Sequence, residues 1–336
     1  MNVALIGFGY WGPNIARNIM ASEKLHLYAI CDTIPARLER ARKLYGAVPV
    51  KFVSGYEALL ECPDIGGIVI ATPTKANYQL AMGAIKYGKH IFIEKPMTAT
   101  SAQAYEVAAA AEKAGVIIHV DHIMLYNKVI LYIKNMIDSG ELGELIYYDS
   151  SRMNLGPIRK DVNAMLDLAV HDLAVIDYLS GGGAPLFVDA VGGSGYGKQE
   201  TLTYLTMKYE GFIAHLRSSW ISPIKERRMI IGGTKKMVLF DDVKSIDKLT
   251  VYDSGIEVNA SDIYGDYEYK VRTGDIQIPY IEQEDSLFNS LDHFALCVEK
   301  NMPSRSSPLQ AIRVIETLER AQICLEANGG LLSFSQ

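Results

Sequence analysis

A glycine-rich turn near the N-terminus constrains the fold more than any other feature of this sequence. The apolar run Val3–Ile6 leads directly into a GxGxxG pattern, and a proline that favours a helix start follows it. In such a strand–turn–helix context the first glycine permits the tight turn, the second lets backbone approach a pyrophosphate, and the third allows close helix–strand packing. The pattern predicts a dinucleotide site, with the phosphates at the helix N-terminus. The predicted contacts are Gly7, Phe8, Gly9, Tyr10, Trp11 and Gly12.

A carboxylate follows where a dinucleotide site needs one. Asp32 ends the second apolar run, 20 residues after Gly12, at the position that binds the adenosine ribose hydroxyls. This carboxylate would repel a 2′-phosphate, so NAD is the expected cofactor and NADP is less favoured, although Arg37 lies nearby in sequence. The alternative is that the glycines form only a turn and Asp32 only caps the next helix.

The first third of the chain alternates short apolar runs with helical patterns, which predicts βαβ units and a doubly wound parallel sheet. Six strands are expected, at Val3–Ile6, Leu27–Cys31, Val50–Val53, Gly67–Ala71, His90–Ile93 and Ile117–Val120. A chain of 336 residues implies about two domains. We place the boundary between residues 121 and 122, so that 1–121 form a Rossmann domain and 122–336 a domain for substrate and oligomerisation. The C-terminal helix could pack back on the first domain.

The pattern of apolar and polar residues changes in the second domain. Helices are predicted at Lys128–Asp138 and Ala164–Leu179, with a strand at Leu145–Met153 between them. Alternation of apolar and polar residues from 186 to 253 predicts an antiparallel sheet with one covered face. The polar, tyrosine-rich residues 254–284 are predicted to form a loop. Two helices, Asp285–Lys300 and Leu309–Ala327, are expected to close the chain.

Polar residues follow two strands at the carboxyl edge of the predicted sheet, where ligands of open α/β folds bind. Thr72 and Pro73 would shape the nicotinamide side of the cleft, or form only a strand-to-helix turn. Glu94 and Lys95 follow the next strand and are also expected to contact the cofactor. Lys95 could bind a substrate hydroxyl, stabilise an alkoxide or relay a proton. The alternative is a solvated lysine at a strand end.

One predicted helix of the second domain carries polar residues on an otherwise apolar surface. Asp167 and His171 are spaced i, i+4 and share a helical face, so the carboxylate can orient the imidazole and stabilise its protonated form. A buried structural Asp–His hydrogen bond is the competing interpretation. Ligation of a metal by these two residues with His119, Asp121 and His122 is disfavoured because no metal-binding spacing supports it. Asp121 and His122 are instead expected beside the cleft.

Charge and composition argue against several partners. The formal net charge is −6, without a run of basic residues, which disfavours nucleic acid. Neither a leader nor an apolar span is recognisable, so we expect a cytoplasmic protein without a membrane association.

Together, GFGYWG at 7–12, Asp32, ATPT at 71–74, EKP at 94–96 and the Asp-x3-His helix resemble the glucose-fructose oxidoreductase, inositol dehydrogenase and MocA (Gfo/Idh/MocA) family. The resemblance implies a Rossmann domain joined to an α/β domain with a large open-faced, mostly antiparallel sheet. It also implies an NAD(P)-dependent enzyme acting on sugars, inositols or nucleotide-linked sugars. Lys95 would be the active-site lysine, with Asp167 and His171 beside the substrate. Ala169 and Ala174 depart from the family's Asp-x-Gly-x-His-x-x-Asp pattern, and Asn77 stands where histidine often follows ATPT.

The sequence around residues 152–172 looks most like family members of nucleotide-sugar and polysaccharide biosynthesis. Several side chains here supply fork and amide donors suited to hydroxyls or a phosphate. We expect substrate contacts from Lys95, Tyr126, Arg152, Asn154, Arg159, Asn163, Asp167 and His171.

The expected reaction is hydride transfer between a sugar or nucleotide-sugar hydroxyl and NAD, with His171 as proton acceptor, Lys95 holding the hydroxyl and Asp167 orienting the imidazole. The alternative is a regulator that senses NAD or a sugar without turnover. The resemblance further suggests a homodimer or homotetramer built on the exposed sheet face. The residues spaced for such a face are Thr203, Leu205, Met207, His215 and Arg217.

Overall fold

The structure is a computed structural model that describes residues 1–260 and 267–327. The chain divides into two compact units, one of residues 1–127 with 284–316 and one of residues 128–283 with those from 317 onward. The chain thus passes from the first unit to the second after residue 127, slightly beyond the boundary predicted between residues 121 and 122. Residues 284–316 belong to the first unit, whereas the predicted boundary assigned them to the second domain and expected only the C-terminal helix to be able to pack back on the first.

The first unit contains a six-stranded parallel sheet, which confirms the predicted doubly wound fold. Its order is β3-β2-β1-β4-β5-β6. Because β2 and β4 flank β1 on opposite sides, the strand order reverses there and opens a crevice at the carboxyl ends. The strands are β1 (Asn2–Ile6), β2 (His26–Cys31), β3 (Lys51–Val53), β4 (Gly67–Ile70), β5 (His90–Ile93) and β6 (Ile118–Val120).

Helices cover both faces of this sheet. Alternate residues of β1 enter two separate apolar clusters, Val3 and Leu5 in one and Ala4 and Ile6 in the other, as the period of a strand requires. The helices between the strands are α1 (Gly12–Ala21), α2 (Pro35–Tyr45), α3 (Glu57–Glu61), α4 (Thr74–Lys86) and α5 (Ser101–Ala114), and a short 3-10 helix (Ile123–Tyr126) follows β6.

Residues 284–316 belong to the first unit because apolar side chains of this segment pack into its core. Helix α8 (Ser286–Lys300) begins at Asp285, whose carboxylate accepts a hydrogen bond from the backbone of Leu287. Its buried face places Leu291 and Phe294, both fully buried, in the same cluster as β1 and α1. Helix α9 (Pro308–Glu326) follows, and its residues up to 316 belong to this unit.

The second unit is built on an eight-stranded, mostly antiparallel sheet, as predicted. Its order is β14-β13-β12-β11-β7-β10-β9-β8, and β7 and β10 pair in parallel. The helices α6 (Lys128–Asp138) and α7 (Ala164–Leu179) lie in this unit. The strands are β7 (Leu145–Leu155), β8 (Phe187–Gly193), β9 (Leu202–Lys208), β10 (Ile213–Ser219), β11 (Ile221–Gly233), β12 (Met237–Asp241), β13 (Leu249–Ala260) and β14 (Tyr267–Gln277).

The prediction of a loop over residues 254–284 is wrong for most of its length. Residues 254–260 extend β13 and residues 267–277 form β14, and the two strands pair antiparallel with Ile256 opposite Val271. These two side chains are 62% and 71% exposed. The hairpin therefore lacks the buried alternation by which strands are recognised in a sequence. Residues 261–266 of the predicted loop lie outside the described residues.

The five residues predicted to form an oligomer face do not lie on one side of the sheet. Thr203, Leu205 and Met207 are buried, and they lie on the side of β9 that packs against α7. His215 and Arg217 lie on the opposite side, because each pairs across the sheet with an even-numbered residue of β9.

Within the described residues, no helix is both long and apolar enough to cross a membrane.

Candidate active site

The glycine-rich turn lies at the carboxyl end of β1 and is shaped by close backbone approach. Gly7 has φ +100°, and a Cβ on it would lie 2.4 Å from the carbonyl oxygen of Ala71. Gly12 begins α1, where a Cβ would lie 2.7 Å from the carbonyl oxygen of Gly7. These two glycines are required by the protein's own packing.

Gly9 is different, because its space is open toward solvent. A Cβ on Gly9 would meet only the guanidinium of Arg37, at 3.8 Å. The N-terminus of α1 has no side-chain cap, so its first N–H groups can serve an anion. The open approach at Gly9 and the uncapped helix fit the pyrophosphate of a dinucleotide.

Aromatic residues of the turn have separate environments. Phe8 is fully buried and packs edge-on against Tyr45, so it can offer a ligand only its backbone. Tyr10 is 89% exposed and lies edge-on to Trp11, which is 39% exposed. Tyr10 and Trp11 are therefore available to a ligand.

Asp32 joins the glycine turn to the end of β2. Its Oδ2 accepts a hydrogen bond from the backbone N–H of Phe8 at 2.7 Å, and its Oδ1 accepts one from Ile34 at 2.8 Å. The carboxylate is buried, while the Arg37 guanidinium lies 3.5 Å away and is much more exposed. Each carboxylate oxygen has further acceptor capacity, so Asp32 can hold the turn and also receive ribose hydroxyls.

The loop after β4 is tied to the loop after β5. Thr72 donates a hydrogen bond from Oγ1 to Asn77 at 2.9 Å, and Asn77 donates to the carbonyl of Pro96 at 3.1 Å. Pro73 sits at the N-cap of α4, and the Lys95–Pro96 peptide bond is cis. Asn77 is buried and connects the two loops through these hydrogen bonds.

A cluster of ionisable groups occupies the carboxyl ends of β5 and β6. Burial is the main cause that raises the pKa of the Glu94 and Asp121 carboxyls, and the negative charge of Glu94 raises the pKa of Asp121 further. The charge of Lys95 lowers the pKa of each. Burial, and then the charge of Lys95, lowers the pKa of His122 to about 3. The structure therefore places Lys95 beside an acid pair and a neutral imidazole.

Sequence reasoning placed Asp121 and His122 near the cleft but missed the pairing of Asp121 with Glu94. The strand register accounts for their proximity, because Ile93 pairs with Val120 and the residues that follow each strand therefore reach the same level.

Tyr126, an expected substrate contact, lies in the core of the first unit. Its hydroxyl is 2.8 Å from Oγ of Ser306, and its ring stacks on His119. Burial raises the pKa of Tyr126 to about 12. His119 is also fully buried and is hydrogen-bonded to Ser290 and Ser304. Among the described residues, no three His, Cys, Asp or Glu side chains are grouped as a metal site.

In the second unit, Asp167 on α7 is held by two donors. Arg159 donates from Nη1 to Oδ1 at 3.1 Å, and Trp220 donates from Nε1 to Oδ2 at 3.3 Å. Arg159 also binds Asp161. His171 lies one turn further along α7 and is partly buried. Trp220 was not among the predicted site residues, and its contact with Asp167, 53 residues away in sequence, has no local sequence signal.

Arg152, predicted to contact substrate, is buried and engaged with Asp172. Its Nε and Nη2 donate to the two carboxylate oxygens at 3.1 and 3.3 Å. The pair ties β7 to α7 directly beside His171. The guanidinium of Arg152 therefore makes its hydrogen bonds to a carboxylate of the protein itself.

The two asparagines predicted to contact substrate, Asn154 and Asn163, have different surroundings. Asn163 is the N-cap of α7, where its Oδ1 accepts from Leu166 and its Nδ2 donates to Glu200 and Gln322. Asn154 lies near the end of β7 and is partly buried, with its Nδ2 close to Gly156. Asn163 therefore caps helix α7 with its amide oxygen and connects this helix start to Glu200 and to Gln322 of α9 with its amide nitrogen.

Comparison with known proteins decides the family. Residues 1–122 match the "Oxidoreductase family, NAD-binding Rossmann fold", and residues 130–239 match the "GFO/IDH/MocA C-terminal domain". The chain belongs to the Gfo/Idh/MocA family. The resemblance read from the motifs is thereby confirmed, and the first unit of this Gfo/Idh/MocA protein is an NAD-binding Rossmann domain.

Individual relatives are more distant. Inositol 2-dehydrogenase of Salmonella typhimurium is 26% identical over 183 residues, 53% of this chain and 54% of the relative. The scyllo-inositol 2-dehydrogenase (NAD(+)) of Bacillus subtilis is 28% identical over 184 residues, 53% of each chain. The chain thus spans about half the length of these curated relatives. UDP-N-acetylglucosamine 3-dehydrogenase from Acidithiobacillus ferrooxidans shares the fold, with a TM-score of 0.80, 22% identity and 98% of both chains covered.

Proposed function

We propose that this chain is an NAD-dependent oxidoreductase that transfers hydride between nicotinamide and a carbon of a sugar or nucleotide sugar bearing a hydroxyl or ketone. The observation that carries the proposal is the placement of Lys95 and its acid pair at the same sheet edge as the glycine-rich turn and Asp32. Ligands of open α/β sheets bind at that edge. Membership of an oxidoreductase family with an NAD-binding Rossmann fold supports it.

Three side chains divide the work of the reaction in this proposal. Lys95 donates a hydrogen bond to the substrate oxygen and stabilises negative charge that develops there. His171 accepts the hydroxyl proton as general base. Asp167 stabilises the imidazolium that results. The bound nicotinamide supplies the chemistry of hydride acceptance.

Cofactor preference follows from Asp32. Asp32 follows β2 at the carboxyl edge of the sheet, where the adenosine ribose of a dinucleotide binds in folds of this kind, and a 2′-phosphate there would meet a negative charge. We therefore assign NAD as the cofactor and expect weaker binding of NADP.

The substrate class is supported by relatives and by the second unit. The curated relatives are named for inositols, and a structural relative is named for a UDP-linked sugar. Arg159 is 48% exposed, so the fork that holds Asp161 and Asp167 can also meet substrate hydroxyls or a phosphate. Substrate binding by this second unit is part of the proposal.

A spectrophotometric screen tests the proposed function. The purified chain is incubated with NAD and a panel of inositols, free sugars and UDP-sugars, and NADH formation is followed by absorbance. Turnover of at least one panel member, lost in Lys95→Ala, is the expected result. NAD binding without turnover on any member would favour a sensor over an enzyme.

A further inference from the structure

Trp220 and Arg159 of the second unit donate hydrogen bonds to the same carboxylate, that of Asp167. Nε1 of Trp220 lies 3.3 Å from Oδ2, and Nη1 of Arg159 lies 3.1 Å from Oδ1. Each carboxylate oxygen thus has its own donor. Rotation of the carboxylate would break these charge-assisted hydrogen bonds, so together the two donors define its orientation.

Trp220 is a firmly anchored donor. It lies between β10 and β11, where its backbone N–H donates to the carbonyl of Thr201 at 2.9 Å and its own carbonyl accepts from Gly156 at 3.0 Å. The residue is only 2% exposed. Its indole N–H is therefore presented to Asp167 by a side chain whose backbone and ring are both held by the sheet.

Arg159 is a loosely anchored donor. It lies between β7 and α7, in a segment that is neither helix nor strand, and its side chain is 48% exposed. The same guanidinium also donates from Nε and Nη2 to Asp161, at 3.2 and 2.9 Å. Ion pairs at exposed positions contribute little to stability, because water competes for both partners. Arg159 can therefore leave Asp167 at small cost, whereas Trp220 cannot.

We propose that Trp220 is a positioning residue that fixes the orientation of the Asp167 carboxylate, and that this orientation survives without Arg159. Because Asp167 and His171 share one face of α7, the orientation of the carboxylate sets how it meets the imidazole. Trp220 acts through Asp167, since a residue buried to this degree does not reach the substrate. Its effect on the reaction rests on the proposed function, whereas the anchoring of the carboxylate does not.

NMR tests the anchoring without any turnover. The chain has only two tryptophans, Trp11 and Trp220, so a ¹⁵N-labelled sample gives two indole N–H signals, and Trp11→Phe identifies that of Trp220. A carboxylate is a stronger acceptor than an amide, so Asp167→Asn should move the Trp220 indole proton upfield. Arg159→Ala should leave it near its wild-type position. A Trp220 signal that does not respond to Asp167→Asn, or that moves as far in Arg159→Ala, would overturn the proposal.

Steady-state kinetics test the consequence for the reaction. Trp220→Phe keeps an aromatic ring but removes the N–H, and it should lower kcat about 10- to 100-fold with little change in KM. Arg159→Ala should act mainly on KM, because its exposed guanidinium is the group that meets substrate. Tyr209→Phe is the matched control, since it removes a polar hydrogen from another buried aromatic residue of this unit, whose hydroxyl contacts Met207. Its kcat should stay near that of wild type.

A double variant separates positioning from a general structural defect. If Trp220 acts only through Asp167, Trp220→Phe/Asp167→Asn should lose no more kcat than Asp167→Asn alone. Multiplied losses, or an unchanged kcat in Trp220→Phe, would contradict a positioning role. The NMR measurement needs no substitution of Trp220, so it decides the anchoring even if Trp220→Phe does not fold. It also remains decisive if no sugar is turned over and the proposed function fails.

Discussion

The guanidinium of Arg37 lies 3.5 Å from the carboxylate of Asp32 and 3.8 Å from the position of a Cβ on Gly9. A cation thus stands beside the acid that is expected to select NAD. The Arg37 side chain is 43% exposed, whereas the Asp32 side chain is buried. The two side chains therefore have opposite effects on a 2′-phosphate at this edge of the sheet.

The first prediction concerns cofactor choice. Asp32→Ala removes the repulsion and should narrow the ratio of NAD to NADP affinity by about tenfold. Arg37→Ala removes the attraction and should lower NADP affinity with little effect on NAD. Dissociation constants of both cofactors, measured by calorimetry for the three proteins, test this. NADP binding by the wild type as tight as NAD binding would contradict the assignment.

The second prediction contrasts two glycines of the turn. Gly7→Ala meets the Ala71 carbonyl and a backbone of φ +100°, so the free energy of unfolding should fall by about 1–3 kcal/mol or more. Gly9→Ala meets no protein atom closer than 3.8 Å, and its stability should be near that of wild type. Dinucleotide affinity of Gly9→Ala should nevertheless fall about tenfold or more. Urea denaturation and cofactor titration measure the two effects. Unchanged affinity in a folded Gly9→Ala protein would mean that no backbone approach occurs there.

The third prediction concerns the buried ion pair between Arg152 and Asp172. Arg152→Met leaves a buried carboxylate without its partner and should cost about 3–5 kcal/mol of stability. The double variant Arg152→Met/Asp172→Leu removes both charges and should recover much of the loss. Arg159→Ala, at an exposed arginine, is the control and should cost less than about 1 kcal/mol. If Arg152→Met were as stable as wild type, a role in substrate binding would be favoured for Arg152.

The sequence predicts the two sheets well because most of their strands have at least one buried face. It misses β14, since exposed side chains such as Val271 remove the apolar alternation. The sequence does not reveal that Arg152 pairs with Asp172, because the two residues lie on different elements, 20 residues apart. The pairing of Glu94 with Asp121 likewise depends on which strands are neighbours. Contacts between distant elements, rather than local propensity, account for these differences.

The fourth prediction concerns assembly. The sheet face opposite α7 carries a ladder in which Tyr204 stacks on His215, and Thr206 is hydrogen-bonded to His215. Arg217 lies over the Tyr204 ring. We expect this face to join copies of the chain into a homodimer or homotetramer. Light scattering at micromolar concentration should show an oligomer that Thr206→Arg dissociates and that Lys113→Glu, on α5, leaves intact. A monomeric wild type would contradict the expectation.

The last prediction concerns the division of labour between Lys95 and His171. His171→Ala removes the proposed proton acceptor and should lower kcat by about 10²–10⁴-fold, while NAD affinity stays near that of wild type. Lys95→Ala should act similarly, and the double variant should lose less than the product of the single losses, because both residues serve one proton transfer. Asp167→Asn should be milder, since its amide oxygen still accepts a hydrogen bond from one of the two donors, Arg159 or Trp220, and Asp167 does not itself take the substrate proton in this proposal. Steady-state kinetics on the substrate found in the screen, with calorimetry of NAD binding, decide the matter. Near-normal turnover of His171→Ala would transfer the role of base to another group and leave His171 as a structural residue of α7.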